Sequence, residues 1–227
     1  IYEGIFMKAS KRHRENLQKV DKSKRYSIEE AISLLKSMKK AKFDESVDLA
    51  MCLKIDPKKA DQLIRGAFSF PKGTGKQVKV IAIVEGEDIE KAKSAGAVEA
   101  GGDELIKRIQ DGWTDFDVVV TTPSMMKKVG RLGKILGPQG KMPSPKSGTV
   151  TEDIETVVKE FVAGKTEFRN DDGGNIHVSI GRLSFSVEDL AENARAFISY
   201  IQSIRPPTVK ESFITKVVLS STMGPGI

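Results

Sequence analysis

A basic segment rich in glycine and proline runs over residues 130–150. It holds five glycines and three prolines, and residues 118–151 contain no aspartate or glutamate. Glycine permits unusual backbone angles and proline fixes φ, so we expect no regular element at its centre. Cations beside exposed amides suit a polyanion, and a merely solvated loop is the alternative. The cations are Lys127, Lys128, Arg131, Lys134, Lys141 and Lys146.

No residue pattern typical of an enzyme or a metal site stands out. The Gly-Thr-Gly-Lys run at 73–76 suggests a phosphate-binding loop, but that motif needs a glycine where Phe70 stands. The chain has only two histidines, His13 and His177, and one cysteine, Cys52, too few for a metal cluster at ligand spacing. A lone cysteine in a predicted strand is expected to pack, and it suits a reducing compartment. We therefore expect no catalytic residues, no metal and no cofactor.

Composition favours a globular protein with an acidic partner. The 227 residues carry a net charge of +6 and a pI of about 9.2. Residues 1–43 hold twelve Lys/Arg against five Asp/Glu, so the surplus points to an interaction segment near the N-terminus. No apolar run approaches the roughly 18 residues of a membrane helix, so no membrane partner is expected. Residues 1–6 show no signal-peptide pattern and precede Met7, which resembles a natural start.

The N-terminal third predicts two helices followed by two strands. A basic helix is expected over 8–25, and Ser27 with Glu30 forms a capping box for the next helix. Apolar and polar residues alternate over 46–55, the pattern of a half-buried strand, and 64–70 is a second strand. The Gly-containing break at 71–75 then interrupts the pattern.

The middle of the chain predicts a small parallel sheet with helices on both faces. Strands and helices alternate, and the first strand is apolar almost throughout, as expected for a strand buried on both faces. The predicted strands are 78–84, 97–100 and 117–121, and the predicted helices are 89–95, 103–110, 123–129 and 152–162.

The last third predicts a return to antiparallel structure. Residues 166–170 and 176–180 flank an Asp-Asp-Gly-Gly turn, which favours a hairpin, and an amphipathic helix at 187–204 precedes a strand at 213–219. We infer a mixed α/β and α+β fold, with a Rossmann-like parallel α/β/α domain inserted into a discontinuous α+β domain. The domains are 73–164 for the insert and 1–72 with 165–227 for the rest; Gly73, Gly75 and Gly164 at the two crossings are predicted hinges.

Seven ordered sequence blocks carry a resemblance to a known family. They span nearly the whole chain from Met7 and together resemble the family of bacterial-type large-subunit ribosomal protein number one, the mobile-stalk protein beside the tRNA exit site. That family has a Rossmann-like domain inserted into an α+β domain and is not enzymatic. The blocks are 41–48, 61–66, 71–76, 115–117 with 122–126, 130–150, 168–171 and 221–225.

The resemblance implies direct binding of large-subunit rRNA by the α+β domain. Lysine and arginine would neutralise phosphates, serine and threonine would contact 2′-hydroxyls, Phe43 would stack or pack on a ribose, and Gly224 would let the backbone approach. Met223 could equally be a core residue. The implied rRNA-binding positions are Lys42, Phe43, Ser46, Arg169, His177, Lys216, Thr222, Met223 and Gly224.

The resemblance also implies partners beyond rRNA. The family assists release of exit-site tRNA and represses translation by binding its own operon mRNA. We expect a monomer when free, on a cytoplasmic ribosome, with an organellar stroma or matrix as the alternative. A secondary RNA contact is assigned to Arg131, Lys134, Lys141 and Lys146.

The segment at 130–150 departs from the family pattern at three positions. Gln139 stands where members usually have Arg, Lys141 where they have a large apolar residue, and Ser144 where they have Asn. These departures bear on the role of the segment rather than on the resemblance. Two other functions remain open: a nonspecific basic nucleic-acid-binding protein, and an enzyme that binds a nucleotide in the Rossmann-like insert.

Overall fold

A computed structural model describes residues 10–21, 23–59, 61–209 and 212–227. The strands are β1 Ser46–Leu53, β2 Arg65–Ser69, β3 Val80–Ile83, β4 Glu99–Gly101, β5 Val118–Thr121, β6 Lys165–Arg169, β7 Asn175–Arg182 and β8 Ile214–Ser221. The helices are α1 Lys11–Gln18, α2 Ile28–Ser37, α3 Asp88–Ser94, α4 Asp103–Gln110, α5 Met126–Val129, α6 Gly133–Leu136, α7 Ile154–Val162 and α8 Val187–Ser203.

The chain packs as two compact units. The first joins the described residues up to Leu63 with Asn170–Ile227, and the second is Ile64–Arg169. This mixed two-unit architecture confirms the predicted fold class. The predicted domain boundaries, 72/73 and 164/165, fall inside the second unit and remain a prediction.

The first unit contains a three-stranded antiparallel sheet and the helices α1, α2 and α8. The strand order is β7-β1-β8, and α2 and α8 pack on each other and on the outer strands. The predicted capping box forms: Ser27 Oγ accepts from Glu30 N (3.2 Å) while Glu30 accepts from Ser27 N (3.1 Å). The cap starts α2 where its apolar stripe of Ile32 and Leu35 can be buried.

Strand β1 has two different faces, as its alternation predicts. Val47, Leu49, Met51 and Leu53 are buried, whereas the side chains between them are half-buried. The second face of the sheet therefore presents a row of small and polar residues. These are Ser46, Asp48, Ala50 and Cys52.

The second unit contains the predicted parallel sheet. Its order is β4-β3-β5, with both pairs parallel. Helix α7 and α3 cover Val80 and Ala82 of β3, and α4 with the 125–136 segment covers Ile81 and Ile83. Burial on both faces explains the continuous apolar run of β3.

A two-stranded antiparallel sheet also belongs to the second unit. Strands β2 and β6 pair from Arg65↔Arg169 to Ser69↔Lys165. The three predicted hinge glycines follow β2 or precede β6, and all have positive φ: Gly73 65°, Gly75 68° and Gly164 114°. Glycine is favoured there because L side chains rarely adopt these angles. Hinge motion itself remains a prediction.

The predicted hairpin at 166–180 is wrong in its pairing. The turn forms around Asp171, whose Oδ1 accepts from Gly173 N (2.9 Å) and Asn175 N (2.7 Å). However, the two segments are joined across the turn only by an isolated bridge, Asn170↔Ile176. Beyond this bridge, β6 pairs with β2 and β7 pairs with β1. A local turn signal does not choose the partner of the strand beyond it.

Two other predictions need correction. Residues 126–136 are helical despite Gly130 and Gly133, with a 3-10 turn between α5 and α6. The buried stripe of Val129, Leu132 and Leu136 stabilises this segment more than two glycines weaken it. The N-terminal helix ends at Gln18, earlier than predicted, and the start of its predicted range, 8–9, lies outside the described residues.

No helix in the described ranges is long and apolar enough to cross a membrane.

Candidate nucleic-acid interface

A buried carboxylate joins the start of β1 to the end of β8. Glu45 is 2% exposed and accepts hydrogen bonds from Ala41 N (2.6 Å), Ser221 Oγ (2.7 Å) and Met223 N (3.1 Å). Burial acts to raise the pKa of Glu45, but these hydrogen bonds outweigh it and hold the pKa below its ordinary value. The ionised carboxylate therefore fixes both chain segments in place.

The two segments held by Glu45 each expose a large apolar side chain. Phe43 is 55% exposed and Met223 is 48% exposed. Phe43 also lines a surface depression together with Lys40 and Leu183. Single exposed apolar residues are ordinary, but these two are positioned by one buried group. They offer a rigid surface on which bases or riboses can stack.

The two predicted hydroxyl residues, Ser46 and Thr222, join the same two segments of the chain by hydrogen bonds. Thr222 Oγ1 accepts from Ser46 N (2.9 Å), and Thr222 N donates to Ser46 O (3.1 Å). Ser46 Oγ accepts from Arg182 Nη1 (3.3 Å). Each hydroxyl still has a hydrogen to donate. We call Phe43, Ser46, Thr222 and Met223 the platform.

Gly224 follows Met223 at a position where there is no space for a side chain. A Cβ at this position would lie 2.5 Å from Ser221 Oγ, the hydroxyl that donates to Glu45. Gly224 N also donates to Ser221 O (3.0 Å). The structure thus gives this glycine a packing role that the sequence did not reveal.

Two more predicted residues lie on the half-buried face of the first-unit sheet. His177 of β7 pairs with Ala50, and Lys216 of β8 pairs with Cys52. The two residues therefore lie on opposite sides of β1, on the same face of the sheet. Both side chains are exposed. His177 Nε2 lies 3.5 Å from Asp171 Oδ2. The β1 residues paired with them, Ala50 and Cys52, have small side chains.

An acidic residue lies within the same face. Asp48 pairs with Ser179 on one side and Ser220 on the other. Burial raises the pKa of Asp48 above its ordinary value, although Ser179, Arg182 and His177 act in the opposite direction. A carboxylate here repels phosphate and can accept from a hydroxyl or amino group.

The remaining two predicted rRNA-binding residues are exposed cations. Lys42 lies in the loop between α2 and β1, next to Phe43. Arg169 ends β6 in the second unit, directly opposite Arg65, and both arginines are exposed. Like charges in a cross-strand pair repel each other, and a bound anion would reduce this repulsion. Eight of the nine predicted residues, Lys42 included, lie in the loops and sheet of the first unit, and Arg169 alone lies in the second.

The second unit carries a separate basic helical surface. Lys127, Arg131 and Lys134 recur at helical spacing, opposite the buried Val129 and Leu132, and all three are exposed. They make no ion pair within the part of the chain that the structure describes. Lys127 was absent from the predicted contact residues, although the same periodicity that buries Val129 exposes it.

The other cations of this segment differ in what they contact. Lys141 Nζ donates to Thr114 O (2.9 Å) and lies 5.1 Å from the centre of the Phe116 ring, so its role is structural. Lys146 is exposed in the 3-10 turn Pro145–Ser147. The predicted RNA-contact residues of the segment are therefore divided between surface and packing positions.

The carboxyl edge of the parallel sheet does not suit a nucleotide. In Rossmann-like folds ligands bind at this edge, on glycine-rich amides. Here Lys128 is held by Glu85 (2.6 Å) and Asp103 (3.1 Å), which leaves an acidic edge. Negative side chains disfavour phosphate. Within the described ranges no group of three or more His, Cys, Asp or Glu could hold a metal ion.

Comparison with known proteins gives one consistent answer. Residues 35–225 match the ribosomal protein L1p/L10e family. The chain belongs to this family. Three similar proteins named large ribosomal subunit protein uL1 cover 97% of the chain and 95% of their own lengths. They are 54% identical in Kosmotoga olearia, 50% in Cutibacterium acnes and 49% in Thermosipho melanesiensis.

Membership of this L1 family confirms the resemblance drawn from the seven sequence blocks. It also confirms that the chain is not an enzyme, since the family consists of ribosomal proteins. The matched span includes the whole platform and Glu45. Sequence reasoning missed Glu45 because an acid between exposed residues gives no sign of burial.

Proposed function

We propose that the chain, a structural constituent of the large ribosomal subunit, binds rRNA directly through the platform. The names of its relatives support assembly in this subunit. The observation that carries the RNA contact is the Glu45 network, which holds Phe43 and Met223 exposed beside two hydroxyls. The Glu45 hydrogen bonds fix the backbone of both segments, so RNA binding requires less ordering of the chain that carries these side chains.

The chemistry of the platform favours RNA over DNA. Ser46 and Thr222 can donate to 2′-hydroxyls, and Lys42 and Lys216 can neutralise phosphates on either side. His177 and Arg169 add further polar contacts. A nonspecific basic nucleic-acid-binding protein would need only the cations and would treat duplex DNA and RNA alike.

The second unit has a distinct proposed role. The predicted glycine hinges would let it move as the arm of the mobile stalk beside the exit-site tRNA. Its exposed Arg131, Lys134 and Lys146, with Lys127, would contact the tRNA backbone, and their charge supports this. Movement of the arm would assist tRNA release.

The same platform supports translational repression. An operon mRNA that reproduces the shape of the rRNA site would bind the same residues, so one surface would serve both RNAs. We propose that the free chain is monomeric and acts in this way in the cytoplasm, outside the ribosome. Competition between the two RNAs for one site is the expected consequence.

The platform is tested by binding a stalk-derived rRNA hairpin to wild type, Phe43→Ala and Met223→Ala. Loss of one stacking side chain should weaken binding by about 1–3 kcal/mol. Leu63→Ala is the matched control, because Leu63 is 43% exposed in the same unit but is not part of the platform. Equal affinity of all four proteins for the hairpin would overturn the proposal.

A further inference from the structure

Helix α1 is fixed to the segment that leads into the platform. Asn16 is 1% exposed, and its amide makes a reciprocal pair with the backbone of Lys39. Asn16 Nδ2 donates to Lys39 O (3.1 Å), and Lys39 N donates to Asn16 Oδ1 (3.0 Å). A buried amide satisfied in this way holds α1 in one position.

A second contact fixes the direction of the helix. Lys19 Nζ donates to Ser37 O (2.9 Å), one turn further along α1 from Asn16. Residues 16 and 19 lie on one face of the helix. From residue 16 to residue 19, the residues that they contact go back along the chain, from 39 to 37. Helix α1 therefore lies antiparallel to the chain that follows α2, with its N-terminal end nearest the platform.

Arg12 lies on the same face, one turn before Asn16. Arg12 therefore lies on the side of α1 that faces residues 37–39, and its charge adds to the hydrogen bonds that lower the pKa of Glu45. Glu45 already accepts hydrogen bonds from Ala41, Ser221 and Met223. Arg12 is half-exposed, so its side chain is accessible to a ligand.

The surroundings of Arg12 are cationic. Lys11, Lys40 and Lys42 are exposed in the two segments that Asn16 joins. The acidic residues of these segments already have partners: Glu15 pairs with Lys39, Asp44 accepts from Ser184, and Glu45 is buried. A surplus of fixed cations beside a stacking surface favours the phosphates of a nucleic acid, and a guanidinium can bind a phosphate through two parallel hydrogen bonds.

We propose that α1 is part of the RNA interface, with Arg12 contacting one phosphate beside the platform and Asn16 as its positioning residue. This inference rests on the proposed rRNA binding. It extends the interface to a helix outside the residues that the family resemblance singled out. A purely solvated basic helix is the rival, since charged helices often have no partner.

The test is the dependence of rRNA-hairpin affinity on salt for wild type and Arg12→Gln. Loss of one phosphate contact should lower the slope of log K against log salt by about 0.7–0.9. At about 0.1 M salt, relative to about 1 M, this slope change corresponds to about five- to eightfold weaker binding. Arg12→Lys should keep most of the slope but lose the two-donor geometry.

Arg25→Gln is the matched control, because it removes the same charge from the same segment. Arg25 precedes the N-cap of α2, so the length of α2, about 15 Å, separates it from the Lys39 end. Its slope should equal that of the wild type, apart from weak long-range attraction.

Asn16→Ala adds a readout that charge removal does not give. It removes no charge, yet the slope should fall as in Arg12→Gln, and the double variant should show no larger fall. Far-ultraviolet circular dichroism checks that each variant is folded. Wild type that fails to bind the hairpin would refute the proposed rRNA binding itself. Wild-type binding with equal slopes for Arg12→Gln and Arg25→Gln would overturn only the role of α1.

Discussion

The backbone N–H of Met223 donates a 3.1 Å hydrogen bond to the carboxylate of Glu45, 178 positions earlier in the chain. Ser221 Oγ and Ala41 N donate to the same carboxylate. One side chain thereby ties together the two exposed apolar residues, Phe43 and Met223. The platform is a consequence of this buried charge, so the predictions start from it.

Glu45→Gln should lower both the stability of the folded protein and its affinity for RNA. An amide in place of the carboxylate cannot accept all three hydrogen bonds, so unfolding free energy should fall by about 2–3 kcal/mol. Urea unfolding measures the stability, and hairpin titration measures the affinity. Asp61→Asn, an exposed carboxylate of the same unit, is the control and should change neither. Wild-type affinity in a folded Glu45→Gln protein would contradict the organising role of the carboxylate.

Asp48→Asn should make the protein more stable at neutral pH. Burial raises the folded-state pKa of Asp48 above its unfolded value, so the ionised form costs stability at pH values above the folded pKa. That cost disappears as pH falls through the folded pKa towards the unfolded one. We expect a gain of up to about 1 kcal/mol, because a half-exposed carboxylate keeps part of its hydration.

The measurement is urea unfolding of wild type and Asp48→Asn over the acid-to-neutral range. The difference between the two proteins isolates the contribution of Asp48 from those of the other ionisable groups. A difference that stays constant with pH, or favours the wild type at neutral pH, would contradict the raised pKa.

Thr222→Val and Thr222→Ser should separate the hydroxyl from the methyl group. Valine removes the acceptor of the 2.9 Å hydrogen bond from Ser46 N and the donor available to RNA. We expect about 1–3 kcal/mol weaker hairpin binding for Thr222→Val and near wild-type binding for Thr222→Ser. Thermal unfolding of both shows how much of the loss is structural. If the Thr222→Val protein binds the hairpin as tightly as wild type does, Thr222 is not an RNA contact.

Lys141→Ala should act on stability. It removes the hydrogen bond to Thr114 O and the contact with the Phe116 ring, at a cost of about 1–2 kcal/mol. Lys134→Ala, on the exposed surface of the same segment, is the control and should leave unfolding unchanged within about 0.5 kcal/mol. Equal unfolding curves for the two variants would show that Lys141 is solvated like its neighbour.

The sequence predicted the elements well because burial follows their periodicity. The alternation in β1 and the uniform apolar run of β3 each correspond to the faces that are covered. The capping box at Ser27 is equally local. Such features depend on residues within a few positions of one another, which a single sequence displays.

Partner choice could not be predicted in the same way. The Asp171 turn is a local feature, but the pairing of β6 with β2 depends on a strand about a hundred residues away in the chain. Gly130 suggested an irregular loop, whereas the burial of Leu132 decides that it is helical. Tertiary contacts overrode local propensity in both cases.

The candidate site shows the same division. Residue types in the resembling blocks indicated Phe43 and Met223, but nothing in the sequence showed that Glu45 is buried between them. Lys141 and Lys134 have the same charge and differ only in what surrounds them. Sequence gives the chemistry of a side chain, and only the fold gives its partners.

The central claim is that the platform recognises RNA by shape and hydroxyl groups. We would titrate the purified chain with a stalk-derived rRNA hairpin and with a DNA duplex of equal length, at low and at physiological salt. The account predicts tight hairpin binding that persists at physiological salt while duplex binding collapses. Equal loss of both with salt would contradict it and would show that charge alone drives the binding.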